Sequence, residues 1–180
     1  MSLRPKETMD AFIDAIIYNK EIMDILKLPV ILETDTKEII NKKRKTAIDK
    51  VITKTAQNPY ELDKKFPTVK FDDKEYSDFG KIRISISYAQ SIKLNSDIFG
   101  NPQIDINIYY DNTTEMDNVF ELLGLLSDLF SNQNLEIKLK DEKIMIKNIK
   151  NEVITSQIAV INNYERIGMR FSYFATLYKN

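Results

Sequence analysis

Ile104-Asp105-Ile106-Asn107-Ile108-Tyr109-Tyr110 alternates apolar and polar side chains, and a few residues later the period changes. A repeat of two places Ile104, Ile106, Ile108 and Tyr110 on one face of a β-strand. Met116, Val119, Phe120, Leu123, Leu126 and Phe130 then recur at three- and four-residue steps, which predicts a helix over about 114–130. Leu122, Leu125 and Leu129 widen its apolar stripe, so it must lie against a sheet or a partner subunit. Thr114 with Asp117 has the spacing of a capping box. Gly124 costs the helix about 1 kcal/mol relative to Ala, and close approach to a sheet is the expected reason for it. Tyr109 and Tyr110 are adjacent and point to opposite faces, so one is expected buried and the other exposed.

The pattern extends in both directions. Ile82, Ile84, Ile86 and Tyr88 alternate with Arg83, Ser85 and Ser87, predicting a strand from Lys81, and Ile92 and Leu94 keep its phase. Leu135, Ile137 and Leu139, then Ile144 and Ile146 after an Asp141-Glu142 turn, predict a hairpin. The stretch 149–163 is ambiguous, with a strand conceivable over 153–161. A last strand over about 165–177 carries Ile167, Met169, Phe171 and Tyr173 on one face.

The first 58 residues read as helical. Met9, Phe12, Ile13, Ile16 and Met23 define an apolar face over 7–26, and Pro29 cannot continue it. Thr34-Asp35-Thr36 caps a second helix expected over 37–53, with Ile40, Ala47, Ile48 and Val51 inward. Between 60 and 80, aromatic anchors mark an ordered loop or a short strand near 68–71. The expected fold class is α+β. It is a mostly antiparallel sheet with a packed helix between strands and an N-terminal helical segment. The expected organisation is a single domain over 1–180, with helices in 1–58 and a sheet-plus-helix core in 81–180.

Composition narrows the chemistry. The chain has no cysteine and no histidine, which removes disulfides, thiolate zinc sites, Ser-His-Asp and Cys-His catalysis and histidine-bound metal. With 26 basic and 27 acidic side chains, net charge is −1, unlike a surface built to coat a polyanion. Neither a signal peptide nor a membrane-spanning apolar run is apparent.

Lys42-Lys43-Arg44-Lys45 is the one basic cluster. It is either an electrostatic contact for phosphate or an acidic partner, or a solvated helix face balanced by Glu38 and Asp49. Asp72-Asp73-Lys74-Glu75 with Asp78 lacks calcium-loop spacing. Asp105, Asp111 and Asp117 each have an ordinary structural place. No cofactor and no catalytic or metal residue is expected. Interface anchors are expected in two loops, 66–79 (Phe71, Tyr76, Phe79) and 95–102 (Ile98, Phe99), and on strand faces at Tyr109, Phe174 and Tyr178.

The segments Ile82-Arg83-Ile84-Ser85-Ile86-Ser87-Tyr88 and 104–112, the helix 116–130, and Tyr164-Glu165-Arg166-Ile167-Gly168-Met169-Arg170-Phe171-Ser172-Tyr173 together carry a family resemblance. In element order and texture over 81–180, the chain resembles tail-terminator and tail-completion proteins of long-tailed bacteriophages and phage-like tail particles. The first 80 residues depart from that family, which usually has a shorter leading region. The resemblance implies a ring-forming structural subunit, commonly hexameric, whose partners are copies of itself, the tail tube and the head connector. It implies a virion component made in the bacterial cytoplasm, without catalysis, cofactor, membrane contact or sequence-specific nucleic-acid binding. The rival expectation is a small bacterial adaptor or immunity-type module that binds one partner through its sheet.

Overall fold

The computed structural model describes residues 5–55, 82–89, 103–111, 114, 116–131, 133–138, 142–159 and 164–179. Its elements are α1 (Pro5–Ile17), α2 (Lys20–Ile25), α3 (Lys37–Lys50), β1 (Ile52–Thr55), β2 (Ile82–Ala89), β3 (Gln103–Asp111), α4 (Met116–Ser131), β4 (Leu135–Lys138), β5 (Glu142–Ala159) and β6 (Tyr164–Lys179). The fold is α+β. Six strands form one sheet in the order β1-β2-β3-β6-β5-β4. Five of them run antiparallel to their neighbours, and β1 joins β2 in parallel at one edge.

The 7–26 helix is in fact two. Asn19 adopts an extended conformation and its side chain accepts the Ile22 N–H at 3.0 Å, which starts a new helix. Both pieces keep the predicted apolar face: Met9, Phe12, Ile13, Ile16 and Met23 are buried. The helix pair ends before Pro29 is reached. Lys27 takes a left-handed φ of 54°; its N–H donates to the Asp24 carbonyl and that of Leu28 to the Met23 carbonyl, a Schellman stop. Thr36 caps α3 as expected, accepting the Ile39 N–H at 3.4 Å.

Helix α3 ends at Lys50, short of 53, because Val51, Ile52 and Thr53 are consecutive β-branched residues better suited to a strand. They lead into β1, where Ile52 lies opposite Ile84 in parallel register. Sequence periodicity places Ile52 and Thr53, the first half of this strand, in the helix.

The main sheet follows its alternation. Ile84, Ile108 and Ile167 lie opposite one another across β2, β3 and β6, as do Ile86, Ile106 and Met169. This face and the helices share one apolar core. Phe12 of α1 stacks on Phe130 of α4 with ring centroids 4.7 Å apart and meets Tyr173 at 5.9 Å, while Phe130 meets Phe171 edge-on at 5.4 Å. So α1 and α4 cover the same side of the sheet.

The hairpin is present as β4 and β5. Within the stretch 149–163, residues 149–159 are strand, because β5 continues unbroken from Glu142 to Ala159, and 160–163 lie outside the described residues. It pairs with β6 through three register shifts, between Lys147 and Lys150, Asn151 and Val153, and Thr155 and Ile158. Asn148, beside the first shift, takes a left-handed φ of 51°, a conformation asparagine tolerates better than most residues.

Candidate functional site

Three surfaces hold the residues that the sequence singled out. The first is the sheet face away from α1 and α4. Its side chains stack in rows across β2, β3 and β6: Arg83, Tyr109 and Arg166; Ser85, Asn107 and Gly168; Ser87, Asp105 and Arg170. All of these but Arg170 are buried. Tyr109 is fully buried, and so is Tyr110 on the opposite face. The expectation that one of the two is exposed, and with it Tyr109 as an exposed anchor, is therefore corrected. Both sides of β3 are covered along its length, not one.

Asp105 accepts two hydrogen bonds from Arg170, Nε at 2.7 Å and Nη2 at 2.8 Å. This pairing holds the Arg170 guanidinium above its ordinary pKa. Among the described residues, Ser85 Oγ, Ser87 Oγ and Asn107 Nδ2 are buried with no hydrogen-bond partner. Burial pushes the Tyr110 phenol up to about 12, reinforced by the Glu165 carboxylate opposite it on β6.

The second surface is the basic cluster. Lys43 donates to the Val30 carbonyl at 2.7 Å and to Asp35 at 2.6 Å. The Leu32 N–H and then the Lys43 ammonium hold the Asp35 carboxyl below its usual value. Arg44 donates to Asp14 of α1 at 2.6 Å, which raises its own pKa, and Lys45 lies 3.4 Å from Asp49. Only Lys42 has no ion pair among the described residues. Lys43 and Arg44 fasten α3 to the segment before it and to α1, so these cations act chiefly within the chain.

The third surface is the outer face of the β4–β5–β6 corner. Phe174 is 50% exposed and Tyr178 is 38% exposed. Phe174 lies opposite Lys147, Tyr178 opposite Lys143, and Lys143 opposite Lys138. Lys147 Nζ donates to the Tyr178 hydroxyl at 3.1 Å and sits 5.4 Å from its ring centroid, a cation–π contact. Glu136 is the one acid among these residues, 3.7 Å from Lys143. Of the expected anchors, Phe174 and Tyr178 are thus brought together on one corner. Phe71, Tyr76, Phe79, Ile98 and Phe99 lie outside the described residues, as do the two loops that carry them.

A fourth surface was not anticipated. Helix α4 exposes Asp117, Phe120, Glu121, Gly124 and Asp128 along the side opposite its buried leucines. The signal was present in the sequence: α4 contains three acids and no base. Gly124 belongs to this exposed side, and a Cβ added there would meet nothing within 4 Å among the described residues. Its presence is therefore not explained by close approach to the sheet. The Thr114 hydroxyl donates to Asp111 at 3.2 Å, and no bond between Thr114 and Asp117 is present among the described residues.

Among the described residues, no group of three or more Asp or Glu is placed to hold a metal ion, and no helix is long and apolar enough to cross a membrane. No family model matches the chain, and no curated protein matches it.

Proposed function

We propose that this chain is a structural subunit that acts by self-association, forming a ring at the end of a phage or phage-like tail. There it stops the tail tube and offers its other face to the head connector. The observation that best supports this is the unequal length of the last strands. β4 pairs with β5 only over Leu135–Lys138, whereas β5 runs from Glu142 to Ala159. From 147 onward, the side of β5 away from β6 has no strand beside it among the described residues. A strand edge with no strand beside it is a template for pairing with another chain. The resemblance over 81–180 supplies the assembly in which such pairing closes on itself.

Light scattering coupled to size exclusion, followed by negative-stain imaging with and without purified tail tubes, tests the reading. The expected result is a closed ring, free or seated on tube ends. A chain that stays monomeric at high concentration and leaves tubes undecorated overturns it.

A further inference from the structure

The two exposed surfaces described last carry opposite charge and lie on opposite sides of the sheet. Asp117, Glu121 and Asp128 follow one side of α4 at four- and seven-residue steps, with Phe120 beside them 54% exposed. None of the three acids makes an ion pair among the described residues. On the far side of the sheet, Lys147 lies opposite Phe174 and Lys143 opposite Tyr178, with Lys138 opposite Lys143 on β4. Each surface thus combines an exposed aromatic with net charge among the described residues: at the corner Glu136 pairs with both Lys138 and Lys143, so three lysines face one acid, and on α4 the three acids face no base.

We infer that these surfaces bind each other in trans: the acidic face of α4 on one copy docks against the lysine and aromatic corner of the next. This rests on the self-association proposed above and adds to the β5 edge a second pair of surfaces that meet. Charge complementarity steers such an encounter and fixes its register, and aromatic anchors at its centre supply desolvated contact area. Because the two surfaces differ, the contact is head-to-tail. That type of contact propagates from copy to copy and closes as a ring when the rotation between copies allows.

Gly124 is an independent observation for the same contact. A helix-interior glycine is a liability of about 1 kcal/mol against alanine, and among the described residues nothing lies within 4 Å of a Cβ placed there. It lies between Glu121 and Asp128 on the acidic side. A smooth notch at that point admits an aromatic ring or a backbone from the neighbouring copy.

The test uses the full chain, with solution mass read by light scattering at low salt and folding checked by circular dichroism melts. Reversing the helix face (Glu121→Lys with Asp128→Lys) or the corner (Lys143→Glu with Lys147→Glu) is expected to weaken association at least tenfold. The four substitutions together are expected to recover most of it. Gly124→Leu is expected to abolish association while the melt is retained. Association of the wild-type chain that is indifferent to all of these variants overturns the assignment and leaves self-association standing. Failure of the wild-type chain to associate, alone or on tail tubes, overturns both.

Discussion

Asp105 and Arg170, 65 residues apart in sequence, face each other across β3 and β6 and close a two-point carboxylate–guanidinium fork of 2.7 and 2.8 Å. The carboxylate is largely buried and the guanidinium is nearly half exposed. Asp105→Asn keeps the shape but removes the charge. It is expected to cost about 1.5–3 kcal/mol, the range for hydrogen bonds to charged groups. Urea unfolding checks this through a lower midpoint at unchanged slope. Arg170→Lys, which keeps the charge but loses the fork, should be destabilised to an intermediate degree.

Phe130 joins α4 to both α1 and β6 through its contacts with Phe12 and Phe171. Phe130→Ala is expected to destabilise by about 3–5 kcal/mol, and Phe130→Leu by clearly less. Chemical denaturation followed by circular dichroism ranks the two, and equal losses would contradict the packing described.

Ser85 is fully buried on β2 with its hydroxyl unpartnered among the described residues. Removing such a group relieves a desolvation penalty. Ser85→Ala should therefore be neutral or stabilising by up to about 1 kcal/mol, measured as a shift in melting temperature. A loss of 2 kcal/mol or more would indicate a hydrogen bond to that hydroxyl.

Tyr110 gives folding an alkaline limit. Its folded value, about 12, lies above the ordinary 10, so folding favours the neutral phenol. The associated stability is complete below pH 10 and is lost as pH rises from 10 through 12. Wild-type stability should fall across that window, and Tyr110→Phe should flatten the fall. Denaturation midpoints at pH 9, 10 and 11 provide the comparison.

Gly124→Ala adds a methyl group where nothing lies within 4 Å. The variant should gain about 1 kcal/mol from helix propensity, seen as a higher melting temperature at a protein concentration that holds the chain monomeric. A lower melting temperature would mean that intrachain packing does require glycine.

These outcomes also indicate how far the sequence could be read. The alternation of Ile82, Ile84 and Ile86, and of Ile104, Ile106 and Ile108, placed the core face of the sheet correctly, because a two-residue period has only one way to bury an apolar side. It could not reveal that Arg83, Ser85, Ser87 and Asn107 on the other face are buried as well. Periodicity sorts side chains into faces without saying what covers them. The break at Asn19 and the strand after Lys50 were missed for a related reason. A single capping side chain and four strand residues weigh little against a long helical period. Gly124 was assigned to the correct helix but to the wrong side. Phe174 and Tyr178 are legible as exposed aromatics because they share a phase opposite to Phe171 and Tyr173.

The parallel seam between β1 and β2 has a consequence for processing of the polypeptide. Val51 accepts the Ile84 N–H, and Ile52 to Thr55 run beside β2, so the leading helices are laced to the sheet by backbone as well as by side chains. Cleavage that released residues before 58 would strip this border from β2 and uncover the isoleucines beneath α1. A fragment without the leading helices is expected to aggregate rather than fold alone, because the apolar face shared with α1 would meet water.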